Sequence, residues 1–118
     1  MLVDNDPDYL RLIRDLFAAD PRIDIVGEAT TAAAALELAG ELGEGLVILD
    51  HYLDDAQSGL EIAPRIKAAA PNAKILLFSS EDLSGRAREE PAVDAFLHKD
   101  EILELLPTVQ RLLGLGTS

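Results

Sequence analysis

The segment "LVILDHYLDDAQSG", residues Leu46 to Gly59, decides the fold. Four consecutive apolar residues run into Asp50, and a polar loop with a second acidic pair, Asp54 and Asp55, follows. A continuous apolar run of strand length, rich in Leu and β-branched residues, is the pattern of a strand buried on both faces, as in a parallel sheet covered by helices on each side. A carboxylate at the end of such a strand is out of keeping with its surroundings and asks for a reason.

Outward from this segment the same alternation repeats. Upstream, "MLV" is a short apolar start ending at Asp4, and "PDYLRLIRDLFAA" places Leu10, Ile13, Leu16 and Phe17 at helical spacing, with Pro7 suited to a first turn. "IDIVGEA" alternates toward β, and "TAAAALELAGEL" is an Ala-rich helix former. Downstream, "GLEIAPRIKAAA" reads as helix, "AKILLFSS" as a continuous apolar strand, "EDLSGRAREE" as a weak helix and "AVDAFLHK" as a strand. Ile102, Leu106, Val109 and Leu113 mark the last helix. The expectation is an α/β, doubly wound (βα)5 fold around a five-stranded parallel sheet. Residues 1–113 form one domain and "GLGTS", 114–118, a frayed tail or the start of a linker.

Composition narrows the function classes. A chain of 118 residues suits a single domain able to bury a core without staples. It has no Cys, so disulfides and Cys-based zinc sites are excluded, and a reducing cytoplasm is the expected location. Asp+Glu 22 against Lys+Arg 10 gives a formal net charge of -12, which repels nucleic acid and anionic membrane surfaces. Direct nucleic-acid binding by this segment is not expected, and no apolar run is long enough to span a membrane.

In a parallel sheet of this kind ligands bind outside the carboxyl ends of the strands. The polar residues expected there are "DND" (Asp4, Asn5, Asp6) after the first strand, Asp50 after the third, Ser79 and Ser80 after the fourth and Lys99 after the fifth. Singly, an Asp or Asn after a strand is explained by turn and cap preferences. Two acidic sites and a lysine on one rim ask for chemistry. His51 and His98 read as ordinary side chains beside that rim.

On these residues the chain resembles the receiver domain of two-component response regulators, over essentially its whole length. The resemblance implies a flavodoxin-like fold with strand order 2-1-3-4-5. It implies that Asp50 is the phosphoacceptor and that Asp4, Asn5, Asp50 and the Tyr52 carbonyl hold Mg²⁺. Ser79 becomes the switch hydroxyl, Lys99 the phosphate-pairing cation and Phe96 the switch aromatic. The implied partners are a sensor histidine kinase or phosphotransfer protein and an effector domain or protein, with a weak homodimer through the fourth helix, fifth strand and fifth helix. The chain is then a phosphoacceptor switch and not an enzyme. The chemistry agrees: a carboxylate attacking a phosphoryl group needs the charge of both neutralised, which a hard dication and a Lys ammonium do.

Several positions depart from the family pattern. Asn5 stands where the second acid is usual, so the metal site loses a charge unless Asp6 reaches in. The loop from Asp50 to Gly59 is one residue longer than usual, and Asp100 replaces the common Pro after Lys99. Pro64 predicts an irregular or late first turn for the third helix. The fourth-helix stretch, with Gly85 and Pro91, is expected to be short and mobile. "MLV" is short for a central strand, which raises the expectation of native residues ahead of it. Two other classes compete with the phosphoacceptor: a degenerate receiver working as a phosphorylation-independent interaction module, and a haloacid-dehalogenase-like phosphatase with Asp4 as nucleophile. Against the second, Asp8 stands where that family has Thr or Val.

Overall fold

The computed structural model describes residues 1–116. The elements run β1 (Leu2–Val3), α1 (Pro7–Phe17), β2 (Glu28–Ala29), α2 (Ala32–Leu42), β3 (Gly45–Leu49), α3 (Gly59–Ala69), β4 (Ala73–Ser79), α4 (Ser84–Glu89), β5 (Ala95–His98) and α5 (Leu105–Leu112). A 3₁₀ segment, Lys99–Glu104, joins β5 to α5. The strands form one parallel sheet in the order β2-β1-β3-β4-β5.

The period-2 geometry of the strands divides their apolar residues between two cores. Val47, Leu49, Ile75 and Leu77 face α2, α3 and α4 with Ala35, Ala39, Ile62 and Ile66. Ile48, Leu76 and Phe78 face α1 and α5 with Leu10, Ile13, Phe17, Leu105 and Val109. Burial at about 1.5 to 3 kcal/mol for each large apolar side chain makes this two-sided partition the main force holding the sheet between its helices. The Ala-rich face of α2 lets that helix approach closely, with Ala32, Ala35 and Ala39 fully buried.

The structure differs from the sequence expectation in four places. The expected strand over "IDIVGEA" pairs only at Glu28 and Ala29, because β1 offers just Leu2 and Val3 as partners. Ile23 and Ile25 pack on the α1/α5 side without strand geometry. α3 starts at Gly59 with no irregular turn: the Ser58 and Glu61 side chains form a reciprocal capping box that fixes its entry. Pro64 sits in its second turn, where it removes one backbone bond from a helix already held at its start.

The last helix does not begin directly after β5. The Nδ1 of His98 accepts the Asp100 amide (3.0 Å) and its amide bonds Glu101, so His98 caps the 3₁₀ segment. Finally, the part of the expected tail that lies within the described residues is docked. Gly114 adopts a positive φ that ends α5, the Leu115 amide bonds the Gln110 carbonyl, and Arg22 donates to the Gly116 carbonyl at 2.6 Å. Arg22 is itself fixed by two bonds to the buried Asp20, which also accepts from Gln110. These bonds to Arg22 and Gln110 hold the Asp20 carboxyl well below the usual carboxylate range. Residues 117–118 of the expected tail lie outside the described residues.

Candidate functional site

The carboxyl ends of the strands bring Asp4, Asp50, Ser79 and Lys99 to one rim, each less than a tenth exposed. Asp4 follows β1 and Asp50 follows β3, its neighbour in the sheet; the Asp50 amide bonds the Val3 carbonyl at 2.8 Å, which locks the two strand ends together. Lys99 Nζ lies 2.9 Å from Asp4 Oδ2 and 3.4 Å from Asp50 Oδ2. One ammonium thus serves two buried carboxylates. The remaining oxygens are also engaged, Asp4 Oδ1 by the Asp6 amide (2.9 Å) and Asp50 Oδ1 by the His51 amide (2.8 Å).

The site is short of positive charge. Burial, and next the charge of Asp4, push the Asp50 carboxyl up to about 6, against the opposing pull of Lys99 and the His51 amide. This excess of negative charge on two buried carboxylates is what a cation would relieve. Among the described residues no three acidic or histidine side chains converge on one point. The donor set is therefore two carboxylates, which suits Mg²⁺, an ion that keeps several of its own waters, better than an ion caged wholly by protein.

The other expected residues are placed less uniformly. Ser79 ends β4 fully buried, and its hydroxyl accepts from the Glu81 amide at 3.2 Å. Phe96 is half-buried on β5, paired with Leu77 and packed on the α2/α3/α4 core. Asn5 is exposed. Asp6 is the N-cap of α1, its Oδ1 accepting from the Asp8 amide at 2.9 Å, so this oxygen is spoken for by the helix. His51 is buried, its Nδ1 has no hydrogen-bond partner among the described residues, and burial lowers its pKa.

The lengthened loop after Asp50 has its own anchors. Tyr52 bridges to Ser58, the Gly59 amide bonds the His51 carbonyl (2.8 Å), and the Asp54 amide bonds the Thr30 carbonyl (3.0 Å). Gly59 is required by close approach: a Cβ there would stand 2.2 Å from the Asp50 carbonyl oxygen. Tyr52, half exposed, donates its phenol to Glu81 Oε1 at 2.7 Å and so joins the loops after β3 and β4.

A response regulator receiver domain model matches residues 1–109. The chain belongs to the response regulator receiver domain family. Among its relatives, this receiver is 31% identical over 108 residues to the nitrate/nitrite response regulator protein NarP of Escherichia coli K12, covering 90% of the receiver and 50% of NarP. It is 32% identical over 80 residues to a protein-glutamate methylesterase/protein-glutamine glutaminase of Nocardioides, covering 68% of the receiver and 22% of that protein. A crystal structure of a LuxR-family two-component response regulator from Aurantimonas superposes with a TM-score of 0.85 at 28% identity, over 98% of the receiver and 84% of that chain. The receiver spans about half the length of NarP, and relatives of this receiver include both regulators and methylesterases.

Sequence reasoning missed Tyr9 and Glu81 in this rim region, and the roles of Asp55 and His98. Tyr9 on α1 lies against Lys99, with the ammonium 4.0 Å from the ring centroid. Asp55 accepts from the Ala32 and Ala33 amides at the start of α2. Glu81 meets both Tyr52 and Ser79, and His98 caps the segment that follows Lys99. Of these only Tyr9 carried a sequence signal, its place on the first turn of the helix that follows the acidic triplet.

Proposed function

We propose that the receiver takes a phosphoryl group onto Asp50 from the phosphohistidine of a sensor kinase or phosphotransfer protein, and that the resulting charge switches an effector. The observation that carries this reading is the buried Asp50 carboxylate within 3.4 Å of Lys99, beside a second carboxylate that shares the same ammonium. An Asp50 oxygen forms a bond to phosphorus as the bond from phosphorus to the donor nitrogen breaks, the electron pair leaving with that nitrogen. Lys99 turns from the carboxylates to the incoming phosphoryl oxygens, and the Ser79 hydroxyl, whose oxygen accepts from Glu81, has its proton free to donate to one of them. Asp4, Asp50 and the Tyr52 carbonyl would hold Mg²⁺, with Asn5 as a neutral neighbour; the ion supplies charge neutralisation at the phosphoryl oxygens.

Phosphorylation replaces one carboxylate charge with a dianion-like group, a change that biases a two-state element. Ser79 and the Glu81 loop, then Phe96 on the adjacent strand, are the residues through which that bias reaches α4, β5 and α5. In this reading the protein is a switch acted on by another enzyme, it works in the cytoplasm, and residues 1–113 are the switching unit. Association through the α4, β5 and α5 face is weak and phosphorylation-sensitive. The test is labelling with a small phosphodonor in Mg²⁺ followed by mass-spectrometric mapping. Modification at Asp50 that is lost in Asp50→Asn supports the reading; modification at Asp4, or none at all, overturns it.

A further inference from the structure

We infer that Tyr9 is a positioning residue for Lys99, its ring face holding the ammonium in place, shielded from water and aimed at Asp50. The inference rests on the phosphoacceptor reading for its consequence but on the geometry alone for its premise. Tyr9 stands on the first turn of α1 with its ring between the residue after β5 and a side chain of β4: Lys99 Nζ sits 4.0 Å from the ring centroid, and the ring of Phe78, one residue before Ser79, meets it edge-on at 6.4 Å and 82°. Phe78 is fully buried, so the Tyr9 ring has a rigid backing.

The Lys99 head has three donors and its side chain is only 7% exposed. Two directions are taken by Asp4 and Asp50, and the third is covered by the Tyr9 ring and not by bulk water. A desolvated cation gains attraction from the negative face of an aromatic ring, which offsets part of the cost of removing water from the ammonium. Tyr9 and Lys99 together line a hollow completed by Asp6, Asp8, Leu12 and Ile102, yet among the described residues the ion-pair partners of Lys99 are Asp4 and Asp50. Asp6 and Asp8 are alternative partners for a lysine without the Tyr9 ring against its head. The ring therefore sets which acidic residues Lys99 serves, and so where the phosphoryl group is neutralised.

The experiment compares wild type, Tyr9→Phe and Tyr9→Leu in two readouts. The first is the chemical shift of the Lys99 side-chain protons by NMR, which the ring current of Tyr9 moves upfield of those of Lys74, an exposed lysine. The shift is expected in wild type, retained in Tyr9→Phe and abolished in Tyr9→Leu; its absence in wild type overturns the proposal, whatever happens at Asp50. The second is the rate of Asp50 labelling by a small phosphodonor, at a temperature where all three proteins are folded. Tyr9→Leu should be slower by roughly tenfold and Tyr9→Phe within about twofold of wild type. Labelling of Tyr9→Leu at the wild-type rate, or of Tyr9→Phe as slowly as Tyr9→Leu, overturns the positioning role. In the first case the phosphoacceptor assignment still stands, because wild type is labelled. If wild type carries the ring-current shift but takes no label, it is the phosphoacceptor reading that falls, and the contact of Lys99 with Tyr9 that survives.

Discussion

Asp55, four residues past the loop's start at His51, caps a helix it does not belong to: its carboxylate accepts the Ala32 amide at 3.0 Å and the Ala33 amide at 3.3 Å, at the start of α2. Together with the Thr31 hydroxyl on the Ala34 amide, it satisfies three donors of that helix start. Asp55→Ala should cost about 1 kcal/mol in chemical denaturation. Amide exchange should rise at Ala32 and Ala33 and along residues 53–57 together. Exchange that rises in only one of the two segments contradicts the coupling.

Gly59→Ala should be among the most damaging single-methyl changes in the chain. The added Cβ would meet the Asp50 carbonyl oxygen at 2.2 Å, a backbone atom that no rotamer change can clear. Overpacking of this kind costs about 1 to 3 kcal/mol, and relief must come from moving the strand end that carries Asp50. The expected outcome is a lower melting temperature together with slower Asp50 labelling. A variant as stable and as readily labelled as wild type refutes this.

The raised pKa of Asp50, about 6, makes stability depend on pH in a definite direction. The folded state binds this proton more tightly than the unfolded chain, whose Asp titrates near 3.9. Below that value both states are protonated and no penalty arises. As pH rises through about 6, the folded state must carry a buried carboxylate and stability is lost. Asp50→Asn cannot ionise, so its advantage over wild type in metal-free buffer should grow between pH 4 and pH 7 by roughly 1 to 3 kcal/mol and then level off. Thermal melts at four pH values suffice, and a difference constant across that range refutes the assignment.

Asn5→Asp tests the charge deficit at the rim. Asn5 is exposed, so the added carboxylate is partly screened, and Mg²⁺ affinity should tighten by roughly twofold to tenfold. Because Asp6 is engaged as the α1 cap, Asp6→Ala should lower stability while leaving Mg²⁺ affinity near wild type. Calorimetric titration in which Asp6→Ala weakens Mg²⁺ and Asn5→Asp does nothing would assign the second ligand to Asp6.

The strands of the sheet were legible because the core-facing residues of β3 and β4 are apolar without interruption, a pattern few other environments permit. Asp4, Asp50, Ser79 and Lys99 were legible because they break that pattern at strand ends. β2 was overread: alternation in "IDIVGEA" reports a half-buried face, but a ladder also needs a partner, and the length of β1 sets how many residues pair. Pro64 was overweighted for a similar reason, since the effect of a proline depends on how firmly the cap before it holds the helix. His98 caps the segment that follows it, a role that histidine's weak cap preference hides, whereas Tyr9, Asp55 and Glu81 act across elements far apart in sequence. Their partners are fixed by which loops the fold brings together, and no local spacing encodes that.

The Arg22 and Gly116 pairing has a geometric outcome. α1 and α5 run opposite to the strands, so the turn at Asp20 and the end of α5 are gathered at the amino ends of the sheet, the pole away from Asp50. A cargo fused after Gly116, a fluorophore or a second domain, would hang from that pole on a short anchored strap, clear of the phosphodonor's approach. Reporter and reaction would then occupy opposite hemispheres of one small body, and any signal passing between them would travel through the sheet and its helices and not through solvent.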